Sequence, residues 1–221
     1  MEKGDLQDKG HWYAIRVFFN KVFRMEDILL DLGLETYLAV GKVQLKGPAH
    51  MAAARKLASV EPGHRADSRY IQEGPVIYER KPLVNSLIFV KAAALQIKEV
   101  EQRLKEEAAG EKPMGFIYKK ADFKEYAAIP DSQMASFRLV TESGVSGLDF
   151  FSSEDFTRYK TGDRVRVTGG PLKGAEGYIK RIRKDRRLLV CVEGVIAVAT
   201  SYIPSELLEK VTEESCRPKE T

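Results

Sequence analysis

Residues 160–176 read KTGDRVRVTGGPLKGAE, and this stretch decides the fold of the C-terminal part of the chain. Within it, RVRV at 164–167 alternates basic and apolar side chains, as expected of a strand with one buried face. The run GGP at 169–171 suits a tight reversal, and Gly174 and Gly177 permit unusual backbone angles or close approach. Further β-capable runs follow within about fifty residues, which predicts a small closed β-barrel.

The whole chain has 221 residues, which is room for one large domain or two small ones. Its net charge is only +4, but basic residues are concentrated in one segment. From Arg158 to Arg187 there are eleven Lys or Arg residues against three Asp or Glu residues. Such an excess attracts phosphate groups, although a merely solvated basic surface has the same pattern.

Several classes of protein are disfavoured by what the sequence lacks. No run of about eighteen apolar residues occurs, and the polar residues 1–12 do not resemble a secretion signal. Cys191 and Cys216 lie in unlike surroundings, which argues against a disulfide and favours the cytoplasm. The three histidines are far apart, and no HExxH, CxxC, GxSxG or phosphate-loop pattern occurs. We therefore predict a cytoplasmic protein that is not an enzyme and uses no metal or cofactor.

The N-terminal part alternates predicted strands and helices. Strands are predicted at 11–17, 34–40, 82–91, 115–118 and 125–129, and helices at 20–33, at 95–109 and after residue 130. Asn20 is expected to cap the first helix and Gly33 to end it. In the last helix, Met134 and Phe137 are expected to face inward.

This order predicts an α+β fold, with helices packed on a mostly antiparallel sheet over residues 10–140. Residues 41–75 are poorly patterned and are interpreted as an insertion in that domain. Residues 141–157 are predicted to be a linker, residues 158–212 the barrel and residues 213–221 a frayed tail.

The glycine-rich stretch resembles the KOW motif, the signature of a small SH3-like barrel in NusG-type transcription factors and some ribosomal proteins. The residues that carry this resemblance are Gly162, Asp163, Val165, Val167, Gly170, Pro171, Gly174 and Gly177.

The N-terminal half resembles the NGN domain of the NusG family. The matching runs are WYAIRV at 12–17, ERKPL at 79–83, LIFV at 87–90, MGFI at 114–117 and IPDSQM at 129–134. Three further runs resemble UpxY-type members, which are antitermination factors of long polysaccharide-synthesis operons in Bacteroides-like bacteria. These runs are HWYA at 11–14, NSLIFV at 85–90 and AVATSYIP at 197–204.

The resemblance implies a factor that binds the clamp helices of RNA polymerase and suppresses pausing or termination without catalysis. It implies an apolar polymerase-binding patch drawn from Tyr13, Phe18, Phe19, Leu83, Val84, Phe116 and Ile117. Contacts with non-template DNA or nascent RNA are expected from Arg16, Lys21, Arg24, Arg183, Lys184, Arg186 and Arg187. Core packing would equally explain the apolar set, and a solvated surface the basic set. The barrel is expected to bind a ribosomal protein or another elongation partner, and the chain to be a monomer away from membranes.

Two other functions stay open. The first is a housekeeping NusG that also assists the termination factor Rho. Such proteins commonly carry a Phe near the position of Ala175, and the loop at 171–177 has no aromatic residue, which favours antitermination. The second is a KOW-containing RNA-binding protein of the ribosome.

Overall fold

The computed structural model describes residues 10–60, 66–108, 112–120, 122–152, 162–182 and 185–211. These residues form four α-helices and thirteen strands, and the strands lie in three antiparallel sheets. The predicted α+β class is therefore confirmed. By its internal contacts the chain divides into two compact units, Met1–Ala128 and Ile129–Thr221.

The first unit contains two of the three sheets. In chain order its elements are β1 (His11–Val17), α1 (Val22–Asp31), β2 (Glu35–Tyr37), β3 (Val40–Gln44), α2 (Gly47–Ala58), β4 (Tyr70–Glu73), β5 (Val76–Pro82), β6 (Leu87–Ala92), α3 (Ala94–Ala108) and β7 (Gly115–Ile117). Four strands form an antiparallel sheet in the order β2-β6-β1-β7. The apolar run LIFV at 87–90 forms part of the interior strand β6, and all four residues are buried.

Helices α1 and α3 cover one face of this sheet. Their apolar side chains recur every three or four residues, and β1 contributes every second residue to the same core. The cluster includes Tyr13, Ile15, Val17, Met25, Leu29, Ile97, Val100 and Leu104. Burying each large apolar side chain contributes about 1.5–3 kcal/mol to folding, so this layer holds the sheet and helices together.

The two ends of α1 differ from each other in how well the sequence predicts them. Gly33 has φ +72° just after the last turn, so the predicted helix end is confirmed. The predicted cap at Asn20 is wrong, because the helix is preceded by Lys21, which makes no capping side-chain hydrogen bond. Asn20 instead has φ +55° and belongs to the turn before the helix.

Much of the predicted insertion is regular structure. β3, β5 and β4 form a three-stranded antiparallel sheet in that order, and α2 buries Ala53. A buried ion pair joins this sheet to α1, since the Arg80 guanidinium donates to both carboxylate oxygens of Glu26 at 2.7 and 2.8 Å. The same guanidinium lies 5.4 Å from the ring centroid of Phe23. These contacts fix the small sheet against α1.

The second unit is one sheet and one helix. Its elements are α4 (Asp131–Glu142), β8 (Asp149–Ser152), β9 (Arg164–Val167), β10 (Glu176–Ile182), β11 (Asp185–Val192), β12 (Ile196–Tyr202), a 3-10 turn (Ser205–Leu207) and β13 (Leu208–Lys210). The strands are antiparallel in the order β13-β9-β10-β11-β12-β8. α4 packs on β10, β11 and β12, and Met134 and Phe137 are buried there as predicted.

Two polar side chains fix α4 on this sheet. The Ser136 hydroxyl accepts a hydrogen bond from the backbone N–H of Glu176 at 3.1 Å. The Gln133 side-chain carbonyl accepts one from the backbone N–H of Glu193 at 3.0 Å. Helix and sheet are thus joined by both apolar burial and specific hydrogen bonds.

The strand predicted at 125–129 is wrong. Among the described residues, 125–129 hold only an isolated bridge between Lys119 and Tyr126. The backbone N–H of Lys120 donates to the carbonyl of Glu125 at 2.8 Å, which closes a tight loop. A short apolar run does not form a strand where a longer pairing partner is lacking.

The C-terminal predictions are met only in part. β8 lies inside the predicted linker and pairs with β12, while residues 153–161 and the predicted tail from 213 lie outside the described residues. α4 belongs to the second unit, although the predicted first domain included it. The strand pairings found in the described residues do not join β13 to β8, so closure into a barrel is not shown.

Candidate interaction surfaces

Three chain segments meet at one end of the four-stranded sheet. β1 ends at Val17, β6 begins with Leu87 opposite Arg16, and β7 begins with Gly115 opposite Val17. The backbone N–H of Phe18 donates to the carbonyl of Met114 at 2.7 Å, which holds the turn after β1 beside the start of β7. Side chains from these segments are therefore brought close together.

Four aromatic side chains contact one another in series at this end of the sheet. The ring centroids of Phe18 and Phe19 are 6.1 Å apart, those of Phe18 and Phe116 are 5.8 Å apart, and those of Phe116 and Tyr118 are 5.6 Å apart. We call these four residues the aromatic cluster. Phe19 is 61% exposed and Phe116 is 49% exposed. Exposed aromatic residues in a connected patch are typical of protein interaction sites.

The backbone under the aromatic cluster is in an uncommon conformation. Phe19 has φ +57° and Asn20 has φ +55°. Asn tolerates this left-handed region, but a bulky residue such as Phe adopts it at a cost of about 1 kcal/mol or more. A strained conformation that leaves a phenyl ring in solvent does not serve core packing, which favours a role in binding.

The predicted polymerase-binding residues fall into three groups. Phe18, Phe19 and Phe116 belong to the aromatic cluster. Leu83 is exposed and Val84 half-buried, and both lie in the loop that enters β6 at the same end of the sheet. The two others, Tyr13 and Ile117, are buried members of the core.

Tyr118 joins the aromatic cluster although it was not among the predicted residues. It follows Phe116 by two positions, and residues two apart on an extended chain point to the same side. This two-residue spacing from Phe116 is the sequence feature from which Tyr118 could have been predicted.

Two of the three basic residues predicted in the first unit lie near the aromatic cluster. Arg16 is exposed and directly opposite Phe116 in the β1–β7 pairing. The Lys21 ammonium lies 5.9 Å from the ring centroid of Phe19. Arg24 differs from both, because its guanidinium pairs with the Glu107 carboxylate at 3.4 Å.

A groove of about 760 Å³ lies beside the start of α1. Its lining includes Lys21, Arg24, Asp27, Asp67 and Arg69. Burial raises the pKa of Asp27 above its ordinary value, and one of its carboxylate oxygens is buried without a hydrogen-bond partner among the described residues. The hydrogen bonds from Arg69 lower the pKa of Asp67. The positive charge of Arg69 is therefore largely committed within the protein.

The glycine-rich hairpin of the second unit is built as its sequence suggests. Val165 and Val167 are buried while Arg164 and Arg166 are exposed, so the alternation places one face inward. Gly174 has φ +94°, and its N–H donates to the Val167 carbonyl at 2.8 Å to close the turn.

The other residues that carry the KOW resemblance lie in the hairpin and beside it. A Cβ at Gly177 would overlap the carbonyl of Leu189, so only glycine fits between these strands. Asp163 pairs with Lys210 at 2.9 Å. The remaining positions are Gly162 just before β9, and Gly170 and Pro171 in the turn.

The predicted nucleic-acid-binding residues between positions 183 and 187 do not form one surface among the described residues. Arg183 and Lys184 lie outside the described residues. Arg186 is exposed and stands directly opposite Arg181 of β10. Arg187 is only 7% exposed and is therefore not part of the basic surface.

Arg187 instead holds three chain segments together. Its guanidinium donates to the Asp149 carboxylate at 2.5 Å and to the Gly147 carbonyl at 2.8 Å. It also donates to the carbonyls of Ala199, at 3.2 Å, and Thr200. Sequence reasoning missed this role because Arg187 stands beside exposed basic residues in the chain.

Comparison with known proteins adds no identification. No protein-family model matches this chain, and no curated protein matches it at a significant level. Within the described ranges, no helix has both the length and the apolar character needed to cross a membrane. The same residues hold no group of His, Cys, Asp or Glu side chains arranged to bind a metal ion.

Proposed function

We propose that this protein is a NusG-like transcription elongation factor of the UpxY type, which binds RNA polymerase and suppresses pausing or termination. The observation that carries the proposal is the aromatic cluster at one end of an antiparallel sheet. Such rings bury much area with little loss of side-chain entropy, and they tend to dominate the free energy of binding at interfaces.

Binding of this kind acts without chemistry. A factor that holds the elongating conformation of the polymerase more tightly than the paused one shifts the population toward elongation. The proposal includes closure of the C-terminal sheet into the small barrel typical of KOW domains. It is supported by β13, which returns to pair with β9 and brings the end of the segment beside its beginning.

The test is a binding measurement with purified bacterial core RNA polymerase. The Phe18→Ala/Phe116→Ala variant removes the two rings that connect the cluster, and we expect its affinity to fall at least about tenfold. The matched control is Phe123→Ala, because Phe123 is 79% exposed but lies in the loop beyond the far end of β7. Equal affinity of the double variant and the wild type, with unchanged circular dichroism, would count against the proposal.

RNA contact by the second unit is a further part of the proposed function. Arg181 and Arg186 are exposed like charges directly opposite each other, an arrangement that costs stability unless an anion lies nearby. We expect Arg181→Ser/Arg186→Ser to weaken RNA binding and to reduce its dependence on salt. RNA binding without any polymerase binding would favour the ribosomal alternative instead.

The choice of antitermination over a role with Rho rests on position 175. Ala175 is fully buried, and the hairpin at 171–177 carries no aromatic residue that could present a ring to a partner. A termination assay with purified Rho separates the two functions. We expect this protein to leave Rho-dependent termination unstimulated while it reduces pausing.

A further inference from the structure

The cations beside the aromatic cluster restrict what can bind there. Arg16 is directly opposite Phe116, and side chains in such a pair start about 5 Å apart on the same face of the sheet. The ammonium of Lys21 lies 5.9 Å from the Phe19 ring centroid. A partner that covers the exposed phenyl rings therefore also covers these two positive charges.

Covering a cation removes water from it. Within the described part of the chain, neither Arg16 nor Lys21 has a carboxylate at ion-pair distance, whereas Arg24 is paired with Glu107. Desolvating an unpaired charge is costly, and an anion on the partner offsets that cost. A partner that presents a negative group beside each cation therefore binds more tightly than one that does not.

The geometry of the rings favours a protein over a single-stranded nucleic acid. Single-stranded nucleic acids stack successive bases on the open faces of aromatic rings. Here the planes of Phe18 and Phe19 meet at 63°, those of Phe18 and Phe116 at 51° and those of Phe116 and Tyr118 at 47°. In addition, Lys21 lies over the Phe19 ring. A tilted, uneven cluster of this kind suits packing against aliphatic side chains.

We propose that Arg16 and Lys21 bind carboxylates of the same protein partner that covers the aromatic cluster. The partner surface is then an apolar segment bordered by Asp or Glu residues. This inference rests on the proposed function, in which the partner is RNA polymerase. It assigns to Arg16 and Lys21 a protein contact in place of the nucleic-acid contact predicted from the sequence.

The experiment compares two forms of the polymerase. One is purified bacterial core enzyme free of nucleic acid, and the other is the same enzyme on a DNA–RNA scaffold with a complete non-template strand. Affinity for each is measured over a range of salt concentrations for wild type and Arg16→Gln/Lys21→Gln. Lys98→Gln is the matched control, because Lys98 is an exposed lysine on α3 away from the cluster. Circular dichroism confirms that each variant is folded.

We expect the double variant to lose about five- to tenfold in affinity for both forms, with a weaker dependence on salt, while Lys98→Gln is unchanged. A loss seen only with the scaffold would overturn the inference, because the anion would then be a nucleic-acid phosphate. Unchanged affinity for both forms would overturn it as well. If wild-type protein bound neither form, the proposed function itself would fail, a result distinct from both of these.

Discussion

Replacement of Arg187 by Met is predicted to unfold the second unit far more readily than replacement of its neighbour Arg186. Arg187 donates to the Asp149 carboxylate and to backbone carbonyls on β12 and before β8. Met fills similar space but donates no hydrogen bond, so these acceptors lose their partner. Breaking a buried ion pair costs about 3–5 kcal/mol, and partial exposure of Asp149 places the expected loss near the lower end, at about 3 kcal/mol.

Thermal unfolding of the full chain measures this loss. For a unit of this size, about 3 kcal/mol lowers the unfolding midpoint by roughly 12–24 °C. Circular dichroism follows the whole chain, while fluorescence of Trp12, the single tryptophan, follows the first unit. We expect the dichroism transition of Arg187→Met to move and the fluorescence transition to stay. Arg186→Met should change the midpoint little, because Arg186 is exposed. Equal midpoints for the two variants would refute the structural role of Arg187.

Three other substitutions test the folds of the two units. Asp27→Asn should raise the midpoint of the Trp12 fluorescence transition at pH 7, because the raised pKa of Asp27 means that its charged form destabilises the folded state. The difference in midpoint between Asp27→Asn and wild type should shrink as the pH falls through the folded-state pKa, because wild-type Asp27 then takes up a proton. An equal difference at pH 4 and pH 7 would contradict this. Phe137→Ala should cost about 3–5 kcal/mol in the second unit, since the ring is fully buried, and a loss below 1 kcal/mol in denaturant unfolding would argue against the packing of α4. Gly177→Ala should cost about 1–3 kcal/mol through overlap with the Leu189 carbonyl, and wild-type stability in the same assay would show that the strands separate easily.

Elements with strong local patterns were predictable from the sequence. The run at 87–90 is apolar at every position, so a strand made from it is stable only with both faces covered, and all four residues are buried. Met134 and Phe137 lie three residues apart on a helix, so one face of α4 had to be apolar. The alternation at 164–167 likewise fixes which side chains of β9 are buried. In each case, spacing along the chain determines burial directly.

Features that depend on distant partners were not predictable in this way. Arg187 is buried because β8 and β12 supply acceptors from residues 147–149 and 199–200, and nothing in its own neighbourhood indicates them. Residues 125–129 were predicted to be a short strand but have only a single bridge as pairing. Three members of the aromatic cluster were predicted as binding residues, but their contact with one another was not. Phe18 and Phe116 approach each other only because of the register of β1 with β7. Register is set by the fold as a whole and not by either segment alone.

Polymerase regulation through the aromatic cluster can be tested in a single-round transcription assay on a template with a defined pause and terminator. We expect wild-type protein to shorten the pause and increase read-through, Phe123→Ala to do the same, and Phe18→Ala/Phe116→Ala to lose most of the effect. Identical pause lifetimes and read-through with and without wild-type protein, on the polymerase of its own host, would rule out the proposed function.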